Sequence, residues 1–153
     1  MRIALFQPDI PQNTGNIFRL AACLGIPVDI VEPTGFLFND KRFKRSMMDY
    51  MQRLEYKRHL DWDSFIKWVK EKNFRLILLT TKSTKPYTKY EFQLNDILLF
   101  GQESAGVPEN IHKTVDQRLI IPMMSGLRSI NVSSSVAIVT AEACKQLGLF
   151  NIK

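Results

Sequence analysis

Residues 120–147 have the sequence IIPMMSGLRSINVSSSVAIVTAEACKQL, in which the end of an apolar strand is followed by a polar loop and a helical pattern. The helix is predicted because its apolar side chains recur on one face, at Val132, Val136, Val139, Ala143 and Leu147. Asn131 is placed to cap its start and Gly148 to end it. The polar loop can present backbone groups to a small molecule, but its Ser and Asn residues are equally typical of helix capping.

Upstream of this stretch, short apolar segments alternate with amphipathic ones. Gly25 is placed to end a helical pattern that begins at Asn16, and Asp61 is placed to cap a later one. The predicted strands are residues 2–6, 28–32, 75–80, 97–100 and 119–121, and the earlier helical patterns are residues 16–24 and 62–69. This alternation predicts an α/β fold, with a mainly parallel sheet and helices on both faces.

Loops that follow the strands are the expected places for chemistry, because open parallel sheets bind ligands beyond the carboxyl ends of their strands. These loops begin at Gln7, Thr80, Gly101 and Pro122. Residues 101–106, GQESAG, have phosphate-loop spacing, but Val107 and Pro108 follow where Lys and Ser or Thr are needed. Residues 7–16 contain one glycine, which argues against a dinucleotide-binding fingerprint. The remaining interpretations are a turn that approaches a flat ligand closely, with Glu103 as an acceptor, and a plain tight turn.

Composition fits one domain spanning residues 1–153, since the chain is 45% hydrophobic and has an ordinary domain length. Cys23 and Cys144 lie in apolar helical patterns without a CxxC spacing, which predicts buried, reduced thiols. His59 and His112 are isolated from any other plausible metal ligand, so no metal is expected. A strand directly after Met1 and the lack of a long apolar stretch predict a cytosolic protein without a membrane partner.

A formal net charge of +6 suits a partner rich in phosphate, although a basic protein need not bind one. The excess of positive charge is concentrated in residues 39–60, which contain seven basic residues and three acidic ones. The basic residues are Lys41, Arg42, Lys44, Arg45, Arg53, Lys57 and Arg58. This segment is therefore a candidate phosphate-binding surface, and the alternative is a solvated charged face.

Three ordered segments together resemble the motifs of the SpoU/TrmH-type SPOUT methyltransferases. They are residues 13–19 (NTGNIFR), residues 99–106 (LFGQESAG), and residues 121–123 (IPM) with 129–133 (SINVS). The resemblance extends over essentially the whole chain. Residues 31–36 (VEPTGF) and Asp49-Tyr50 are similar to the single-domain TrmL-type members, which modify the wobble nucleotide of tRNA.

The resemblance implies a C-terminal trefoil knot that holds S-adenosylmethionine, a feature that no periodicity in the sequence predicts. By position, Leu79, Gly101, Ile121 and Ser129 match the cofactor-binding sites of the family. Thr80 and Met123 are expected in the same shell. The cofactor contacts are expected to be mainly backbone and apolar ones.

Catalysis in the family asks the protein to position and activate a weakly acidic ribose hydroxyl. The resemblance makes Arg19 the activator and Asn13, Glu103 and Asn131 its companions. A guanidinium group normally stays protonated, so we expect Arg19 to steer a phosphate or stabilise the developing alkoxide rather than to accept the proton.

The family also implies a homodimer, and an RNA partner rather than DNA. Lys41, Arg42, Lys44 and Arg45 are the candidate RNA-binding residues. The expected activity is 2'-O-methylation of tRNA position 34, a cytidine or modified uridine. The alternatives are the same reaction at another tRNA or ribosomal RNA site, and a non-catalytic RNA-binding module. The intact set of predicted catalytic residues favours an enzyme.

Overall fold

A computed structural model describes residues 1–150, and six strands within them form one sheet. The strands are β1 (Arg2–Phe6), β2 (Val28–Val31), β3 (Tyr56–His59), β4 (Arg75–Leu79), β5 (Asp96–Phe100) and β6 (Gln117–Leu119). The helices are α1 (Pro11–Leu24), α2 (Lys41–Met47), α3 (Trp62–Glu71), α4 (Glu109–Thr114) and α5 (Val132–Leu147). The strand order is β3-β2-β1-β5-β4-β6 and every pair is parallel, which confirms the predicted class.

Helices cover both faces of the sheet, as the sequence predicts. In β1, Ile3 and Leu5 point into one core, and Ala4 and Phe6 point into the other, because successive side chains of a strand face opposite ways. The first core is completed by residues of α1, α2 and α5, including Ile17, Phe18, Phe43, Val136 and Val139. The second is completed by residues of α3 and α4, including Phe65, Val69 and Ile111. A strand that must bury both faces reads as a continuous apolar run, which is why β1 is evident in the sequence.

The central position of β1 determines where the chemistry can lie. Ala4 is paired with Asp29 of β2 on one side and with Leu99 of β5 on the other. Because these strands are parallel, the loops that follow β1 and β5 emerge at the same edge of the sheet. Segments about 90 residues apart in the chain therefore become neighbours there.

Helix α1 begins at Pro11, five residues before the predicted start. Proline suits a first helical position, because its fixed φ matches the helix and the missing N–H has no intrahelical partner there. Asn13 and Gly15 are consequently buried helix residues, although they precede the predicted start. A Cβ on Gly15 would lie 2.5 Å from the Cβ of Ser46, so this glycine permits the close contact between α1 and α2.

The basic segment contains an edge strand, β3, that the sequence pattern does not predict. Its residues are polar and partly exposed, and its pairing with β2 supplies the missing stabilisation. Asp29 of β2 is fully buried and accepts hydrogen bonds from Arg2 Nε at 2.6 Å and from His59 Nε2 at 2.8 Å. This buried cluster joins the first three strands through side chains as well as backbone.

Two smaller predictions need correction. Strand β6 begins and ends two residues earlier than predicted, and Ile120 makes only an isolated bridge to Pro86. Cys144 is buried as expected, but Cys23 is exposed. Cys23 lies two residues beyond the buried Ala21, about 200° around α1, and so faces away from the sheet. None of the helices within residues 1–150 is long and apolar enough to cross a membrane.

Candidate active site

A cavity of about 410 Å³ opens at the carboxyl ends of β4 and β5. This volume lies within the roughly 300–1,000 Å³ that small-molecule sites occupy. All six residues that the resemblance assigns to cofactor binding line it: Leu79, Thr80, Gly101, Ile121, Met123 and Ser129. They come from the end of β4 with the loop after it, from the loop after β5 and from the segment after β6. These three parts are distant in sequence, and the parallel sheet brings them together.

The glycine-bracketed loop after β5 forms one wall of this cavity. The N–H of Gln102 donates to the carbonyl of Gly106 at 2.9 Å, and the N–H of Gly106 donates to the carbonyl of Gln102 at 2.7 Å. Gly106 closes this turn with a φ of +69°, a conformation that favours glycine. A Cβ on Gly101 would lie 2.6 Å from the carbonyl carbon of Gly106, so Gly101 is required for the close approach of the two backbone segments.

A chain of hydrogen bonds connects three of the predicted catalytic residues. The amide of Asn13 donates to Glu103 Oε1 at 3.3 Å, and the amide of Asn131 donates to Asn13 Oδ1 at 3.0 Å. Asn131 Oδ1 in turn accepts from the backbone N–H of Ser133 at 2.9 Å, which caps α5 as predicted. All three side chains line the cavity. The capping and the catalytic interpretations of Asn131 are therefore compatible, because the same side chain uses its oxygen for the helix and its NH₂ group for Asn13.

Glu103 is also joined to Asp9, a residue that the motifs do not single out. Burial, followed by the hydrogen-bonded Asp9 side chain, raises the pKa of Glu103 above its ordinary value. Burial also acts to raise the pKa of Asp9, but hydrogen bonds from Glu103 and Ser104 outweigh it, and that pKa is lowered. The sequence contains one signal for Asp9: it is an acidic residue in the first of the four loops that are expected to carry chemistry.

Arg19 does not line the cavity of its own chain. It is exposed on α1, and its guanidinium carbon lies 5.6 Å from the centre of the Tyr50 ring. The structure thus separates Arg19 from the other three predicted catalytic residues.

The four predicted RNA-binding residues lie on α2 and are exposed. Arg42 is engaged within the chain, because its guanidinium Nη2 contacts Asp40 Oδ2 at 2.8 Å. Hydrogen bonds from the Arg42 side chain and backbone lower the pKa of Asp40 to about 2. Lys41, Lys44 and Arg45 make no ion pair with any residue of the described range 1–150.

The cavity also has lining residues that the sequence does not predict, notably Lys82 and His112. Burial lowers the pKa of His112, and the charge of nearby Lys82 acts in the same direction. Lys82 Nζ lies 3.7 Å from Glu109 Oε2 on α4. No spacing in the sequence connects these residues, because the packing of α4 against the sheet places them. Residues 1–150 contain no group of three or more His, Cys, Asp or Glu that could hold a metal ion.

The parallel sheet and the cavity at the carboxyl ends of its strands define a class of protein. Comparison with known proteins identifies that class. Residues 1–141 match the model of the SpoU rRNA Methylase family, and the chain belongs to that family. A relative from Beijerinckia indica subsp. indica is 47% identical over 146 residues, which cover 95% of this chain and 91% of the relative. A relative from Escherichia coli (strain K12) is 41% identical over 150 residues, covering 97% and 94%. Both relatives are named tRNA (cytidine(34)-2'-O)-methyltransferase.

Solved structures agree with this assignment. One, described as giving structural insights into the 2-OH methylation of C/U34 on tRNA, has a TM-score of 0.92 at 33% identity and covers 96% of this chain and 95% of that chain. The SpoU methyltransferase AviRb from Streptomyces viridochromogenes, solved in complex with AdoMet, has a TM-score of 0.88 at 22% identity, covering 96% and 57%. At that lower identity, the likeness shows a shared fold.

Proposed function

We propose that this chain transfers a methyl group from S-adenosylmethionine to the ribose 2'-oxygen of tRNA nucleotide 34, a cytidine or modified uridine. The observation that carries the proposal is the convergence of Glu103, Asn13 and Asn131 with the predicted cofactor residues on one cavity. The relatives' names support the choice of tRNA and of position 34. An enzyme that acts on tRNA is expected to work in the cytoplasm.

The cavity fits S-adenosylmethionine in size and in the chemistry of its walls. Leu79, Ile121 and Met123 offer apolar contacts, while Thr80 and Ser129 offer hydroxyl groups. The missing side chain of Gly101 lets the Gly106 backbone pack closely against this wall. When bound, S-adenosylmethionine supplies an electrophilic sulfonium methyl group. These residues would hold it by the combination of apolar walls and few polar groups that small-molecule sites use.

The chain's own residues contribute to the reaction by orienting the ribose and by stabilising the charge that develops on its 2'-oxygen. The Glu103 carboxyl is an acceptor for the 2'-hydroxyl, and the amides of Asn13 and Asn131 hold that carboxyl and the start of α5 in one arrangement. Fixed groups of this kind avoid reorganisation during the reaction. Arg19 adds a positive charge that stabilises the developing alkoxide or holds a phosphate.

We infer that the active enzyme is a homodimer, in which Arg19 of a second copy completes the cavity. Arg19 lies outside the cavity of its own chain. Apolar side chains close to the cavity and on α5 are exposed, with Met124 at 80%, Leu127 at 67% and Ile138 at 37%. Burial of such side chains stabilises an interface. Light scattering tests the oligomeric state. Mixing Arg19→Ala chains with Asn13→Ala chains tests whether Arg19 of one copy completes the cavity of the other, since mixed dimers would then regain one intact cavity and part of the activity.

The basic face of α2 is proposed to bind tRNA phosphates, with residues 1–153 acting as one domain.

We also propose that the chain contains the trefoil knot of the family. The segment around β6 runs beside the loop after β4: the N–H of Ile120 donates to the carbonyl of Lys85 at 2.9 Å, and the N–H of Tyr87 donates to the carbonyl of Ile120 at 3.0 Å. Pulling the two chain ends apart tests the knot, because a knotted chain stops short of its full contour length.

A nucleoside map of tRNA from a deletion strain tests the proposed function. Loss of the 2'-O-methyl group at position 34, restored by the wild-type gene and not by Arg19→Ala, is the expected result. Loss of a methyl group only at another tRNA or ribosomal RNA site would contradict the position. Titration calorimetry with S-adenosylmethionine separates an enzyme from a binding module, because a protein that binds tRNA but never the methyl donor is not a methyltransferase.

A further inference from the structure

Asp9 and Glu103 hold each other through reciprocal backbone hydrogen bonds. The N–H of Asp9 donates to Glu103 Oε2 at 3.0 Å, and the N–H of Glu103 donates to Asp9 Oδ1 at 3.2 Å. The hydroxyl of Ser104 donates to the other oxygen of Asp9. Each carboxyl therefore accepts a hydrogen bond from the backbone N–H of the other residue, which lies 94 positions away in the sequence. This pair is the direct connection between the loop after β1 and the loop after β5.

Asp9 is itself fixed from the opposite side by the loop after β2. The N–H of Gly35 donates to the carbonyl of Pro8 at 2.9 Å. A Cβ on Gly35 would lie 2.8 Å from both Cα and Cβ of Asp9, so a glycine is needed for this loop to pack on Asp9. With its backbone covered and both carboxylate oxygens accepting hydrogen bonds, Asp9 has little freedom to move. A carboxyl that moves little can hold another one in place.

No cationic side chain of the described residues pairs with Asp9 or Glu103, so their negative charges are not offset by a direct ion pair. The α1 helix presents the neutral amide of Asn13. On the loop after β2, Glu32 is paired with Arg58. The titratable groups that share the cavity with Glu103 are Lys82, from the loop after β4, and His112, from α4.

We propose that Asp9 is a positioning residue for methyl transfer: it holds the Glu103 carboxyl against Asn13 and sets the pH range in which that carboxyl is ionised. This inference rests on the proposed function for its effect on rate. It assigns to Asp9 no contact with the substrate. The negative charge of Asp9 favours the protonated form of Glu103, while the backbone hydrogen bonds keep the Glu103 carboxyl in one orientation.

Two substitutions separate these effects. Asp9→Asn keeps an oxygen acceptor and the backbone N–H but removes the charge, whereas Asp9→Ala removes the side-chain tether as well. Because the ionised Glu103 is the form that accepts a hydrogen bond from the 2'-hydroxyl, its pKa defines the acidic limb of the rate profile. Removing the Asp9 charge lowers that pKa, so Asp9→Asn is expected to shift the limb to lower pH. Asp9→Ala is expected to lower kcat by about 10- to 100-fold and to leave KM for S-adenosylmethionine within about twofold.

Carbon-13 NMR of the side-chain carboxyls measures the same coupling without any activity. The Glu103 resonance, assigned with Glu103→Gln, is expected to titrate at lower pH in Asp9→Asn than in the wild type. Asp61→Ala is the matched control, since Asp61 also accepts a backbone N–H, from Ser64 on α3, but does not line the cavity. It should change neither the Glu103 titration nor the rate profile. Thermal unfolding of each variant identifies any that does not fold.

A double variant tests whether Asp9 acts through Glu103. Adding Asp9→Ala to Glu103→Gln should lower kcat by no more than about twofold, because the tethered group is already gone. Multiplicative losses, or an unchanged Glu103 titration in Asp9→Asn, would overturn the proposal. A wild-type protein that is inactive on all tRNA but keeps the pKa coupling would refute the proposed function alone, and the positioning of Glu103 by Asp9 would stand.

Discussion

Gly101→Ala is the substitution whose effect follows most directly from the structure. An added Cβ would lie 2.6 Å from the Gly106 carbonyl carbon, and ordinary contact begins at 3.4 Å, so the two segments must separate by about 0.8 Å. That displacement strains both hydrogen bonds between Gln102 and Gly106. At about 0.5–1.5 kcal/mol for each hydrogen bond, the free energy of unfolding should fall by about 1–3 kcal/mol. The same movement displaces the cavity wall.

Titration calorimetry with S-adenosylmethionine, together with urea unfolding, measures both consequences of Gly101→Ala. We expect Kd to rise about tenfold or more, which corresponds to about 1.4 kcal/mol. Gly25→Ala is the matched control: Gly25 has a φ of +66° and open space around its Cβ position, and it does not line the cavity. A left-handed alanine there costs about 1–2 kcal/mol of stability, with no change in Kd. Wild-type affinity in Gly101→Ala, or an equal loss of affinity in Gly25→Ala, would refute the reasoning.

Three further predictions concern stability, reactivity and RNA binding. Asp29→Ala leaves the buried His59 without its carboxylate partner and leaves Arg2 with Glu55 alone, so it should lower the free energy of unfolding by about 3 kcal/mol in urea denaturation; wild-type stability would contradict this. A thiol reagent should modify Cys23 in the folded protein, and Cys144 only on unfolding, because burial covers that thiol and raises its pKa. Arg45→Glu should weaken tRNA binding and flatten its salt dependence, which filter binding at several ionic strengths measures, while Lys70→Glu on α3 should leave both unchanged.

Local patterns in the sequence determined most of the secondary structure. Strands that bury both faces, such as β1, appear as apolar runs, and α5 shows both its apolar face and its caps. The polar edge strand β3 carries no such signal, since its stability comes from pairing with β2 and from the buried Asp29. The early start of α1 was likewise missed, because Asn13 and Gly15 are unfavourable within a helix by local propensity. Tertiary contacts favour them there: Gly15 packs against α2, and Asn13 bonds to Glu103 and Asn131.

The sequence by itself also predicted which side chains share the candidate site, because the three motif segments contain Asn13, Glu103 and Asn131, which all line the cavity. Only the tertiary structure decided how they meet. The placement of β1 beside β5 puts Asp9 against Glu103, and neither periodicity nor spacing records which strands become neighbours. Tertiary structure likewise left Arg19 outside its own cavity. The physical reason is that hydrophobic patterning acts over one or two turns of chain, whereas strand order depends on the packing of all helices on both faces of the sheet.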